Sequence, residues 1–105
     1  MIEVYHNSEF LMYMTNSTFE ELKKGHFERV ATVETDSIDI AYQQTNNIDQ
    51  PWHLNTNVKA VRRENRSTSV GDLVKKGEIF YVVQPEGWLE LTREQECELT
   101  FYISK

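Results

Sequence analysis

The sequence is poor in residues that cross-link or interrupt a chain, with one cysteine, two prolines and four glycines among 105 residues. A single cysteine, Cys97, excludes an internal disulfide and a zinc site built from several cysteines, and it is typical of a reducing cytoplasm. The low content of glycine and proline makes long disordered linkers unexpected. We therefore predict one folded domain over residues 1–105, located in the cytoplasm.

Long hydrophobic runs are missing too. The sequence has no apolar stretch of about 18 residues, which a membrane-spanning helix would need. Its first residues, 1–7, show no basic segment followed by an apolar one, so we expect no signal peptide. Hydrophobic residues make up 39% of the chain and charged residues 27%. This composition is typical of a globular domain with a modest core.

A net basic charge is also absent, because 17 acidic residues outnumber 11 basic ones and give a formal charge of −6. Binding to nucleic acid draws most of its affinity from basic side chains that displace counterions from phosphates, so this charge disfavours that class. The charge is unevenly placed, however. Residues 59–76 carry six basic and two acidic side chains, and residues 78–98 carry six glutamates and one arginine. A phosphate contact through the segment 59–76 therefore stays open.

Local patterns near the start predict a hairpin followed by a helix. Ile2–Tyr5 and Phe10–Met14 are short apolar runs separated by residues that favour turns. The stretch 16–25 has the signature of a capping box at its start and a glycine at its end, which predicts a compact helix.

The next segment predicts a strand and then a second helix. Phe27–Thr35 is rich in residues that favour strands, and Phe27, Ala31 and Val33 are expected on one side of it. A helix is predicted through about residue 46 because Asp36-Ser37 can cap it and apolar residues recur there at helical spacing.

The second half of the chain predicts mainly strands. Val58–Val61 is a candidate short strand, and Leu73-Val74 and Ile79–Val83 flank a turn sequence, which predicts a hairpin. Ile79–Val83 lacks alternation, so we expect this strand to be covered on both faces near the centre of a sheet. Another strand is expected at Trp88–Leu91.

The end of the chain has the clearest alternating pattern. Residues 97–104 place Cys97, Leu99, Phe101 and Ile103 on one side, which predicts a final strand with a buried thiol. Together these patterns predict an α+β fold with a mainly antiparallel sheet and two short helices. Closure of that sheet into a barrel is left open, and the Thr100–Tyr102 face leaves a homodimer open.

Motifs for catalysis or metal binding are not evident. His6, His26 and His53 are spaced too widely for the paired ligands of common zinc sites. The sequence has no nucleophile elbow, no paired-histidine zinc motif and no dinucleotide fingerprint. We therefore predict a protein that is not an enzyme, with no catalytic residues, no cofactor and no metal.

Two tryptophans follow turn residues and are candidates for binding or for the edge of a core. Trp88 is expected at the core edge, whereas Trp52 lies in a polar loop and is equally suited to a partner contact. The loop Arg66-Ser67-Thr68-Ser69-Val70-Gly71-Asp72 combines hydroxyls, a glycine and an arginine. Asp72 is expected to bond its own loop before the strand that follows.

An ordered series of residues extends this picture: Thr45-Asn46-Asn47-Ile48-Asp49, Trp52, Asn55, Arg66–Asp72, Tyr81 and Gly87-Trp88. It resembles a group of small proteins carried by bacteriophages, plasmids and other mobile elements, which share an arginine-serine-x-serine-valine-glycine-aspartate segment. The resemblance covers residues 40–91, about half of the chain. It implies an accessory protein acting in the cytoplasm of a bacterial host, and it implies no catalytic residues.

The sequence therefore predicts a phage or mobile-element protein that binds and modulates a protein of its bacterial host, such as a defence system. The alternative is a small nucleic-acid or nucleotide binder that uses the basic segment 59–66. The candidate residues for contact with a protein partner are Asp49, Trp52, Asn55, Arg66, Thr68 and Asp72. The candidate residues for nucleic-acid contact are Lys59, Arg62 and Arg63.

Overall fold

The computed structural model describes residues 1–8, 26–47, 50–61, 66–99 and 102–104. The predicted strand at Phe10–Met14 and the predicted helix at 16–25 lie outside these residues. The elements in chain order are β1 (Ile2–Asn7), β2 (Phe27–Val33), α1 (Ile38–Gln44), a 3-10 turn (Trp52–Leu54), β3 (Val58–Ala60), β4 (Leu73–Lys76), β5 (Ile79–Val83), β6 (Trp88–Glu90), α2 (Arg93–Leu99) and β7 (Ile103–Ser104).

Six strands form an antiparallel sheet in the order β3-β2-β1-β4-β5-β6, which confirms the α+β class. Among the described strands the sheet is open, with β3 and β6 at opposite edges, so these strands do not close into a barrel. The short strand β7 pairs in parallel with the start of β2, beside the edge that β3 occupies further along.

One face of the sheet is covered by α1 and the 3-10 turn. Ile2, Val4 and Val74 point to this face and are fully buried in one core cluster with Trp52. The helix begins where predicted, because the Ser37 hydroxyl accepts a hydrogen bond from the backbone N–H of Ile40.

The opposite face carries a second core cluster that includes Tyr5, Leu73, Phe80 and Leu99. Helix α2 lies here, and its Leu99 is fully buried. The two clusters explain how a chain of this length stabilises a sheet on both sides, since each face buries its own set of apolar side chains.

Two predictions about strands are wrong. Residues 97–99, predicted as the start of the final strand, belong to α2 (Arg93–Leu99), and Cys97 is exposed rather than buried. The physical reason is a reciprocal cap: Thr92 Oγ1 accepts from the Gln95 N–H, and Gln95 Oε1 accepts from the Thr92 N–H. Leu99 is the one buried side chain of the helix, so the segment shows no helical stripe in its sequence.

The expectation that Phe27 shares a side with Ala31 and Val33 is wrong as well. The register between β1 and β2 shifts between Val4 and Tyr5, which leaves Val30 as an extra residue in β2. This bulge reverses the alternation, so Phe27 packs in the second cluster and Ala31 packs in the first.

The hairpin of β4 and β5 is confirmed, with Gly77 in the turn at a φ of 63°. A positive φ there favours glycine because other residues meet steric strain in that conformation. Strand β5 is one position in from the edge of the sheet. Phe80, Val82 and Val83 are buried, but Ile79 is 41% exposed, so the strand is only partly covered.

Candidate functional site

The most polar buried group in the described structure is the carboxylate of Asp72, which is fully inaccessible to solvent. Its Oδ1 accepts hydrogen bonds from the Asn7 backbone N–H at 2.8 Å and from Arg66 Nη2 at 2.7 Å. Its Oδ2 accepts from Arg66 Nη1 at 2.6 Å and from the Ser69 backbone N–H at 2.8 Å. Each oxygen therefore has two donors, which is how a buried carboxylate is stabilised without a ligand.

Arg66 links this carboxylate to two segments of the chain. Its Nη2 donates to the carbonyl of Asn7 at 3.0 Å, and its Nη1 donates to the carbonyl of Ser67 at 3.0 Å. The side chain is 32% exposed, and its two Nη atoms contact Asp72. The pair holds the loop 66–72 against the end of β1, as expected for Asp72 in its own loop.

A chain of hydrogen bonds runs beside this ion pair through buried hydroxyls. His6 Nε2 lies 2.9 Å from Thr68 Oγ1, Thr68 Oγ1 donates to Thr45 Oγ1 at 2.8 Å, and Thr45 Oγ1 donates to the carbonyl of Ala41 at 2.8 Å. A carbonyl only accepts, and each hydroxyl has one proton, so the order of donors is fixed. His6 Nε2 must therefore donate to Thr68. It also lies 3.9 Å from Asp72 Oδ2.

Trp52 packs beside these hydrogen-bonded side chains and is 1% exposed. Its Nε1–H donates to the carbonyl of Arg66 at 2.9 Å, and its ring meets that of His6 edge-on with the centroids 6.3 Å apart. The indole thus satisfies the backbone of the loop at one end and fills the core at the other.

Further side-chain bonds join the loop to the C-terminal end of α1. Ser67 Oγ accepts from the Asn47 N–H, and Asn47 Oδ1 accepts from the Trp52 N–H. Asn55 Nδ2 donates to the carbonyl of Gln44 at 2.7 Å. The candidate site is therefore a network that ties together β1, α1, the 3-10 turn and the loop 66–72.

The structure brings five of the sequence-predicted residues into this network. Trp52, Thr68 and Asp72 are buried, so their side chains support the loop from below rather than at the surface. Arg66 and Asn55 are partly exposed. Lys59 lies apart from the network, exposed on β3. Asp49, Arg62 and Arg63 lie outside the described residues.

Sequence reasoning missed His6 and Thr45 as members of the network. His6 belongs to β1, and it lies near the loop because β1 pairs with β4 directly after Asp72. Thr45 is the C-terminal cap residue of α1. No spacing in the sequence links these positions, so pairing of distant strands is what assembles the network.

Trp88 lies at the core edge, as predicted. It is partly buried against the first cluster, and its Nε1–H donates to Asp39 Oδ1 at 2.9 Å. Its ring also meets that of Tyr42 edge-on at 6.0 Å. Trp88 therefore fixes the N-terminal turn of α1 to β6.

A second surface feature lies at the turn between β4 and β5, where Met1 and Asp36 also contribute to its lining. It is a groove of about 1000 Å3. Apolar lining comes from Met1, Ile79, Tyr81 and Leu91, and carboxylates including Glu78 and Glu90 lie around it. Burial raises the pKa of the Tyr81 hydroxyl, and the neighbouring Glu90 carboxylate raises it further.

Within the described ranges, no group of three or more histidine, cysteine, aspartate or glutamate side chains is placed to hold a metal ion. In the same part of the chain, no helix is long and apolar enough to cross a membrane. No family model, curated protein or solved structure matches this chain.

Proposed function

We propose that this chain is a non-enzymatic accessory protein of a phage or mobile element that binds and modulates a protein of its bacterial host. The observation that carries the proposal is the closed network around Asp72. Both oxygens of its carboxylate are fully used by Arg66, Asn7 and Ser69, and the hydroxyl chain beside it ends on a backbone carbonyl. A catalytic carboxylate needs access to a substrate, whereas this one is buried and bound.

The network instead supports a role in presentation. It fixes two segments on a rigid base, the loop 66–72 with the partly exposed Arg66 and the end of the 3-10 turn with the partly exposed Asn55. Binding residues are commonly placed on loops held by a scaffold, because preorganisation lowers the entropy lost on binding. In this proposal Trp52 acts as a buried anchor for the loop, and Arg66 holds the loop in shape through its bonds to Asp72, Asn7 and Ser67.

The charge of the chain supports a protein partner with a basic surface. A formal charge of −6 speeds encounter with such a surface and orients the complex. Host proteins that bind nucleic acid, including defence systems that recognise it, carry basic surfaces of this kind. For nucleic acid itself the same charge is repulsive, and the two Nη atoms of Arg66 are engaged by Asp72.

The test is a tagged pull-down from bacterial lysate, with and without nuclease, read by mass spectrometry. We expect one host protein retained at near-equal amounts after nuclease treatment. Its association rate with the purified chain should fall as salt rises, because screening weakens attraction between exposed charges. Proteins that disappear with nuclease, or nucleic acid alone on the resin, would favour the binder that uses Lys59, Arg62 and Arg63. If the resin retains neither protein nor nucleic acid, neither the host-protein binder nor the nucleic-acid binder is supported.

A further inference from the structure

The edge strand β6 offers free backbone groups on the acidic side of the molecule. Among the described strands it pairs with β5 alone. Gln84 N–H donates to the carbonyl of Gly87, and Leu91 N–H donates to the carbonyl of Phe80. Because antiparallel strands alternate the direction of their backbone groups, the N–H and C=O groups of Trp88 and Glu90 point away from β5.

The surroundings of this edge are strongly acidic. Residues 78–98, which include β6 and all of α2 except Leu99, carry six glutamates and one arginine. That arginine, Arg93, lies 3.4 Å from Glu78, and both side chains are about four-fifths exposed. Glu86 lies before β6 and Glu90 lies within it, both exposed to solvent. The other cations at the groove are Lys76 and the amino group of Met1, the latter 3.7 Å from Asp36.

Apolar surface lies beside the same edge. Leu89 is 38% exposed on one face of β6, and Ile79 is 41% exposed at the groove on the other face. Tyr81 pairs with Glu90 across the two strands, so the groove continues up to the edge. A strand added to β6 would extend the groove and place alternate side chains on these two faces.

We propose that the β6 edge is a docking site for an extended, basic segment of a partner protein, which adds to the sheet as a further strand. This proposal rests on the proposed function. It adds the surface that would bind the partner, the β6 edge, and the kind of segment that would bind there. Backbone bonds to Trp88 and Glu90 supply the register, and lysine or arginine side chains meet the glutamates. A second copy of this chain is a poor occupant, because pairing two β6 edges would bring glutamates together.

The probe is a fluorescein-labelled peptide of about nine residues in which lysine alternates with valine. A peptide with glutamate in place of lysine is its charge-inverted control. We expect the lysine peptide to raise the fluorescence anisotropy saturably at low salt and the glutamate peptide to leave it unchanged. Amide chemical shifts of Trp88 and Glu90 should move with the same saturation, since their N–H groups gain partners.

Two pairs of variants separate the contributions of charge and backbone. E86K/E90K reverses the charge of Glu86, before β6, and of Glu90, within β6. E28K/E34K makes the same change in net charge at Glu28, in β2, and at Glu34, directly after it. We expect about tenfold weaker peptide binding for the first pair and less than about twofold for the second. E90P removes the N–H that points away from β5 and leaves every hydrogen bond between β5 and β6 in place. E90T removes the same carboxylate but keeps that N–H, so E90P should weaken peptide binding more than E90T does. Thermal melts establish that each variant is folded.

The proposal fails if the lysine peptide does not bind, if both double variants weaken binding equally, or if E90P and E90T behave alike. It also fails if sedimentation shows a dimer and the Trp88 and Glu90 amides lie in its interface.

The lysate experiment distinguishes the edge site from the proposed function. A host protein retained equally by wild type and E86K/E90K would leave the proposed function standing and overturn the edge site. If the lysine peptide binds saturably but the pull-down retains no host protein, the edge site is supported and the proposed host partner is not.

Discussion

Arg66 and Asp72 form a two-bond pair in which each guanidinium Nη donates to a different oxygen of a fully buried carboxylate, at 2.6 and 2.7 Å. Parallel bonds of this kind fix both distance and orientation, which a lysine in place of Arg66 would not do. The pair closes the loop 66–72 on itself and joins it to Asn7 at the end of β1. Its first role is therefore to position the loop.

Replacing Asp72 with asparagine should strongly destabilise the fold. The amide keeps the shape but presents one oxygen and one NH2 group where four donors converge, so at least two donors lose an acceptor. We expect the free energy of unfolding to fall by about 3 kcal/mol, measured by urea denaturation. Asp36→Asn, at an exposed position, is the control and should change stability by less than about 0.5 kcal/mol. A loss of similar size in both variants would contradict the assigned role.

Thr68→Val tests the chain of hydrogen bonds from His6 to α1. Valine has nearly the same shape as threonine but leaves His6 Nε2 without its acceptor and Thr45 without a donor. We expect about 1–3 kcal/mol of lost stability, because two buried polar groups lose a partner. Thr56→Val, in an exposed turn, should stay near wild type. Equal melting temperatures for wild type and Thr68→Val would show that this series of hydrogen bonds contributes nothing to stability.

Trp52 and Trp88 provide a matched comparison between a buried and an edge tryptophan. Trp52→Phe removes the donor to the Arg66 carbonyl in a site that is 1% exposed, so we expect a loss of about 2 kcal/mol. Trp88→Phe loses a bond to Asp39 that lies at the surface, so the loss should be below about 1 kcal/mol. Urea denaturation of both variants gives the comparison, and the reverse order would contradict it.

The elements that could be predicted from the sequence are those with local signals. Helix α1 follows a Ser37 cap that the structure contains, and the β4–β5 hairpin turns at Gly77. Helix α2 was missed because alternation from Cys97 onward imitates a strand and Leu99 alone is buried. The bulge at Val30 was missed because a register shift depends on the partner strand rather than on local sequence.

The same distinction applies to the candidate site. The loop 66–72 and Trp52 could be selected from the sequence because the loop combines hydroxyls, a glycine and an arginine, and because Trp52 follows turn residues in a polar segment. Their burial could not be predicted, since it arises when β1 pairs with β4 and brings His6 and Asn7 beside Asp72. Long-range pairing therefore decided that these residues are internal supports.

The exposed position of Cys97 predicts rapid labelling of the native protein by a thiol reagent. Because the thiol lies on the solvent side of α2, the reaction needs no opening of the core. We expect a native labelling rate within about tenfold of the rate in denaturant, with neighbouring glutamates slowing an anionic reagent. Cys97→Ala gives the background. Labelling limited by the rate of global unfolding would place the thiol in the core instead.

Tyr5 predicts a loss of stability at alkaline pH. Burial raises the pKa of its hydroxyl well above the ordinary value of about 10, and its 2.7 Å hydrogen bond to Glu3 raises it further. Because the folded pKa lies above the unfolded one, this contribution is complete below about pH 10 and is lost as pH rises toward the folded pKa.

The measurement is the free energy of unfolding from pH 8 to pH 11.5 for wild type, Tyr5→Phe and Tyr102→Phe. One proton limits the contribution of Tyr5 to a slope of about 1.4 kcal/mol per pH unit above pH 10. Wild type should therefore lose stability faster than Tyr5→Phe in this window, although the phenylalanine variant starts lower because it lacks the bond to Glu3. Tyr102→Phe removes a tyrosine hydroxyl elsewhere and should not flatten the curve in the same way. Parallel curves for wild type and Tyr5→Phe would mean that the Tyr5 hydroxyl ionises as readily in the folded protein as in the unfolded chain.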